Sequence, residues 1–134
     1  MDHIFITKQD ICTIETDAIV NAANESLLGG GGVDDAIHRS CGKQLYDICK
    51  ELPVKKLTLS TTKKYGRCDV GEVVVTESFN LDTCKYVFHT VAPRLTQRDG
   101  HLIPDHNTLG LCYESCLLKA FKMELRSITF CCLG

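Results

Sequence analysis

Four consecutive glycines, Gly29 to Gly32, lie between a short apolar run, Ala18 to Val20, and the start of a helical pattern. Glycine lets the backbone adopt positive φ and lets another group approach its amides closely. A helix starting there presents unpaired N–H groups and the positive end of its dipole. Strand, glycine loop and helix together form a seat for phosphate or diphosphate. The two common nucleotide loops do not fit. Position 34 is Asp where a GxGxxG match from Gly29 needs its third glycine, and Gly42-Lys43 is followed by Gln44 with no upstream Walker glycine.

The rest of the chain supports an α/β reading. HIFIT, residues 3 to 7, alternates and carries β-branched residues, which predicts a short strand. The run Ala18 to Val20 predicts a strand buried on both faces. Ile37, Cys41, Leu45 and Ile48 form one apolar stripe of a helix that ends at Leu52-Pro53. Residues 54 to 70 read as loop with room for a short helix, and residues 94 to 106, containing Gly100 and Pro104, as a polar surface loop. Strands are expected at 71 to 78, 86 to 91 and 127 to 134. Leu109, Tyr113, Cys116, Leu117, Ala120 and Met123 recur at helical spacing between Asn107 and Glu124. Strands alternating with helices imply a layered fold, with helices on both sides of a largely parallel sheet and ligands at the strands' carboxyl ends.

Composition narrows the classes of function. Of 134 residues, 44% are hydrophobic and the formal net charge is -2, which argues against disorder and fits one globular domain over 1–134. The same balance provides no basic field for nucleic acid. No apolar run reaches the roughly 18 residues of a membrane helix. MDHIFITKQD lacks the pattern of a secretion signal, so neither export nor a membrane partner is expected. Nine cysteines are an odd number with no CxxC pair and no Cys–His zinc spacing. They read as small buried side chains in a reducing compartment rather than as disulfides or metal ligands, and this includes Cys112 and Cys116, one helical turn apart.

Asn24 and Asp34 flank the glycine loop. An amide both donates to and accepts from a sugar hydroxyl pair. A carboxylate at a helix start is favoured in its charged form. Taken singly, Asn24 reads as a turn residue and Asp34 as a helix cap. Amide, loop and carboxylate together raise the functional reading above both. His89 reads as a satisfied core histidine, and His38, one turn beyond Asp34, as mainly structural. Lys55, Lys56, Lys63 and Lys64 read as a solvated face.

The stretch DAIVNAAN-x-x-LLGGGGVD-x-x-IH, ending at His38, resembles the signature of the macro domain family, in particular its cellular mono-ADP-ribosylhydrolase branch. Gln9-Asp10-Ile11, Gly71 and YVFHTVAP add matches, with Gln9 and Ala92 standing where the family usually has Gly. The resemblance implies a three-layer α/β/α fold with a mixed, mostly parallel sheet. In the family the SITF strand is followed by a second phosphate loop, a helix, a strand beside the first strand and a last helix. This sequence stops at Gly134, so the last strand and helices are expected to be missing.

The resemblance also implies roles. Asp10, Ile11 and Cys12 would hold the adenine. Ala22, Ala23 and Asn24 would contact the distal ribose. Gly29, Gly30, Gly31, Gly32 and Val33 would line the diphosphate and ribose. Asp34 would position or activate a water at the anomeric carbon, with Asn24 assisting, and neither metal nor cofactor is implied. The expected activity is release of mono-ADP-ribose from acidic protein side chains, and hydrolysis of O-acetyl-ADP-ribose. The expected state is a monomer in cytoplasm or nucleus whose partners are ADP-ribose and modified proteins. Two other readings stay open: a module that binds ADP-ribose without cleaving it, and an inactive, incomplete macro domain.

Overall fold

β1 (Ala18–Ala22) owes its apolar run from Ala18 to Val20 to its place inside the sheet. It pairs in parallel with β5 (Tyr86–Thr90) on one side and β8 (Ile128–Phe130) on the other, and β4 (Val73–Glu77) pairs antiparallel with β5. The order is β4-β5-β1-β8, a mixed, mostly parallel sheet. The computed structural model describes residues 3–103 and 105–133, which leaves Pro104 and Gly134 outside the described residues.

Side chains alternate across this sheet. Ile19 and Val87 face a core with Ile37 and Cys41 of α1 (Gly32–Cys41) and Leu45 and Cys49 of α2 (Lys43–Glu51). Ala18, Val20 and Phe88 face a second core with Cys112, Cys116 and Ala120 of α3 (His106–Lys122). The three layers expected from the alternation of strands and helices are present.

The expected single helix through Leu52 is two helices. Gly42 sits at φ +89, a left-handed conformation that ends α1, and α2 restarts at Lys43. A Cβ at Gly42 would lie 2.7 Å from Asn80 Nδ2, so the break is also a close packing point. Restarting rotates the second stripe: Cys49 is buried, whereas Ile48 is 41% exposed. On α3 the buried positions recur every fourth residue, and Leu117, expected on that stripe, is exposed.

Three more expectations change. HIFIT forms no strand, and Ile4, Phe5 and Ile6 are exposed. An alternating segment becomes a strand only beside another backbone, and among the described residues none pairs with it. Residues 54 to 70 contain a short antiparallel pair, β2 (Lys55–Lys56) with β3 (Tyr65–Gly66). Its loop is organised by buried Asp69, whose carboxylate accepts from the backbone N–H groups of Thr58, Leu59 and Ser60 at 2.8, 3.0 and 3.0 Å. Burial raises the Asp69 pKa, but these N–H groups and that of Val70 outweigh it and hold the carboxyl below its usual range. The surface loop after Pro93 carries a hairpin, β6 (Thr96–Arg98) with β7 (His101–Ile103), turned at Asp99-Gly100, both at positive φ.

Candidate functional site

β1 delivers its carboxyl end to the segment that joins it to α1. Asn24 holds that segment in shape. Its Oδ1 accepts from Ser26 N at 3.1 Å and from the Ser26 hydroxyl at 2.6 Å, and its Nδ2 donates to Gly29 O at 2.9 Å. Leu27 is fully buried at φ +60, a costly conformation for a bulky residue that the surrounding bonds enforce. Arg67 clamps the segment from outside, donating to the carbonyls of Ser26, Lys50 and Leu52.

The glycines then pass over the start of α1. Gly29 and Gly32 take φ +92 and +62. A Cβ at Gly30 would lie 3.1 Å from Asp34 Oδ2 and 3.3 Å from Asn24 Nδ2, so the loop brings these two side chains near each other. At Gly31 and Gly32 a Cβ would meet nothing within 4 Å. Gly31 is the N-cap of α1, and no side chain caps it. Asp34 is therefore not the helix cap. It sits in the first turn, buried and turned inward.

Asp34 has two neighbours of consequence. Asn21 Nδ2 donates to its Oδ1 at 2.8 Å. His38 Nε2 lies 3.4 Å from the same oxygen, close enough for electrostatic attraction but not placed to hydrogen-bond. His38 Nε2 and Asn21 Oδ1 are both buried without a hydrogen-bond partner among the described residues, and buried polar groups of this kind call for one. Burial raises the Asp34 pKa, partly offset by the Asn21 bond and the His38 charge. Outside α1, a cleft of about 400 Å³ is lined by Gly29, Gly30, Asp35, His38, Lys43 and Tyr46, among others.

The other candidates surround this cluster. Asp10 caps a 3-10 turn, Ile11–Thr13, and its Oδ1 accepts from Cys12 N at 2.9 Å, so its hydrogen bonds stay within the turn. Ile11 is buried in the core shared with Ile37, and Cys12 and Val33 pack against that core. Ala22 ends β1, and Ala23 N donates to Thr90 O at 2.9 Å. His89 is fully buried with both ring nitrogens near partners, the satisfied core histidine expected. The lysine face is exposed, with Lys55 paired to Glu72.

Asn21 is the residue that sequence reasoning passed over. The signal was there: an amide inside an apolar strand has to find a partner. Alternation with Ile19 places it on the face that α1 covers.

The chain as a whole is similar to known proteins. The family model of the Macro domain matches residues 20–134. The chain is 43% identical over 134 residues to ADP-ribose glycohydrolase MACROD2 of Xenopus laevis, covering 99% of the chain and 28% of that relative. It is 42% identical over 125 residues to O-acetyl-ADP-ribose deacetylase of Salmonella gallinarum, covering 93% of the chain and 63% of that relative. It therefore spans less than two thirds of each. A Trypanosoma brucei macrodomain solved in complex with ADP superimposes with a TM-score of 0.72 at 38% identity, covering 92% of this chain and 44% of that one. An Oceanobacillus iheyensis macrodomain with ADP gives 0.73 at 36% identity, covering 91% and 59%. With sequence and fold both matching, the chain belongs to the macro domain family.

Proposed function

We propose that the chain binds ADP-ribose and cleaves mono-ADP-ribose from acidic protein side chains, with O-acetyl-ADP-ribose as a related substrate. The observation that carries this reading is Asp34, buried beneath Gly30 at an uncapped helix start, beside a His38 Nε2 with no hydrogen-bond partner among the described residues. In the reading, the diphosphate rests on the amides of Gly29 to Val33. The adenine lies against Asp10, Ile11 and Cys12, and the distal ribose against Ala22, Ala23 and Asn24. The names of the relatives, a glycohydrolase and a deacetylase, support the same chemistry.

Asp34 would take a proton from a water as that water bonds to the anomeric carbon. The bond from that carbon to the ester oxygen breaks, and its electron pair leaves with the restored carboxylate. A raised pKa makes Asp34 a stronger base than an ordinary aspartate.

Calorimetric titration of ADP-ribose should give saturable one-site binding. A protein modified on glutamate should then lose its ADP-ribose. Asp34→Ala should cut release by about 100-fold or more while binding persists. Binding without release by the unaltered chain would make it a reader, and no binding would end the proposal.

A further inference from the structure

On the α1 face of the sheet a line of polar side chains runs from half-buried Thr76 of β4 through buried His89 and Asn21 to Asp34. Thr76 Oγ1 lies 2.9 Å from His89 Nε2, and Asn21 Nδ2 lies 3.1 Å from His89 Nδ1. The same Nδ2 donates to Asp34 Oδ1 at 2.8 Å. The parallel register sets Asn21 directly beside His89. Asn21 and His89 are 0% exposed and Asp34 is 4% exposed, so solvent does not supply alternative partners.

With Asp34 ionised, these contacts admit one arrangement of protons. The Asn21 amide has two hydrogens, one for Asp34 and one for His89. His89 Nδ1 is then a bare acceptor, and its proton sits on Nε2, facing Thr76 Oγ1. Reversing the amide would set Asn21 Oδ1 against the Asp34 carboxylate, with no proton between two acceptors. Moving the ring proton to Nδ1 would set two donors face to face. Burial, together with the nearby His38, pushes His89 down to about 3, so the ring stays neutral.

We propose that His89, backed by Thr76, is a positioning residue: its bare Nδ1 fixes the Asn21 amide, which in turn fixes the Asp34 carboxylate. The catalytic consequence rests on the reading of Asp34 as the base. Asp34 is also faced by Asp35 and His38 from its own helix and by the Cys49 thiol from α2. None of these restrains the Asn21 amide.

Two measurements on the full chain test the relay. With 15N-labelled histidine, NMR should show His89 as the Nε2–H tautomer from about pH 5 to about pH 9. Asp34→Asn should move the Nδ1 signal through Asn21. A ring protonated on Nδ1, or an unmoved Nδ1 signal, overturns the relay.

In kinetics, His89→Phe keeps a buried aromatic ring and removes the acceptor. It should lower kcat for ADP-ribose release by about 10-fold to 100-fold, leave KM nearly unchanged, and move the acid limb of the rate profile to higher pH. His89→Gln, whose side-chain oxygen accepts from Asn21, should recover most of kcat. Unchanged kcat in His89→Phe, or a loss that His89→Gln fails to repair at equal Tm, overturns the proposal. If His89→Phe does not fold, Thr76→Val should give a smaller kcat loss at unchanged Tm, and no loss overturns it. An unaltered chain that releases nothing removes the hydrolase reading, and the NMR result then decides the relay alone.

Discussion

α1 and α3 begin in opposite ways. α3 closes its own start: Asp105 accepts from Thr108 N at 3.0 Å through Oδ1 and from the Thr108 hydroxyl at 2.6 Å through Oδ2. α1 begins at Gly31 with no side-chain cap and open space in front of it. Of its two first-turn carboxylates, Asp34 turns inward to Asn21 and Asp35 pairs with Arg39 on the surface. A glycine cap costs only a few tenths of a kcal/mol relative to Ser, Asn or Asp. For that small sacrifice α1 keeps its N–H groups available to a ligand, while α3 uses them for itself.

The comparison can be broken most forcefully at Gly31. Gly31→Asp gives α1 the cap that α3 has and sets a charge where a diphosphate would rest. ADP-ribose affinity should fall by about 10-fold to 100-fold with no loss of Tm, and calorimetry showing unaltered affinity would mean the open start is not the seat. Next in size is Gly30→Ala. Its Cβ would press on Asp34 Oδ2 and Asn24 Nδ2, at 3.1 and 3.3 Å. Turnover should fall by about 10-fold, more than affinity does.

The two carboxylates also give the helix starts opposite pH dependences. Asp34 has a raised pKa, so the folded state holds its proton more tightly than the unfolded state, and stability falls as pH rises from the unfolded value through the folded one. Asp34→Asn should therefore raise Tm at neutral pH while abolishing release, and an unchanged or lower Tm would sink this reading. Asp105 is held below its ordinary range, first by the Thr108 hydroxyl and then by backbone N–H groups. Its contribution is complete above the unfolded carboxyl value and fades as pH falls through the folded one. The smallest expected effect is that of Asp105→Ala: a slight drop in Tm at neutral pH, vanishing in acid, with ADP-ribose affinity unchanged by titration.

The segment from Ala18 to Asp34 was legible in the sequence because its constraints are local: apolar run, glycines, then helix. The same holds for β4, β5 and α3, whereas β8 keeps only Ile128–Phe130 of the strand expected over 127 to 134 and is half-buried. The readings that changed depended on distant chain or on one backbone angle. HIFIT alternates like a strand, but alternation does not supply the neighbouring strand. Gly42 interrupts a stripe whose side chains gave no sign of a break. Residues 54 to 70 look formless until Asp69, near the end of the segment, gathers the amides of Thr58, Leu59 and Ser60 near its start. Asp99-Gly100 was a hairpin signal in plain view, obscured by the polar residues around it. In the site, the glycine loop drew attention to Asn24 and Asp34. Asn21 becomes visible only once β1 and β5 are set side by side in register.

The cysteines spread through both layers give the molecule a set of internal clocks. Cys41 lies on α1, Cys49 on α2, and Cys112 and Cys116 on α3; all four are free and buried. Burial pushes the Cys41 and Cys116 thiols up to about 12 and Cys49 up to about 11, so at neutral pH they react with an alkylating reagent chiefly when their layer opens. The labelling rate at each position therefore times the opening of its own side of the sheet. A ligand seated at the start of α1 would slow Cys41 and Cys49 on that side of the sheet, and would slow the pair on α3 to the same degree only if the two layers open as one.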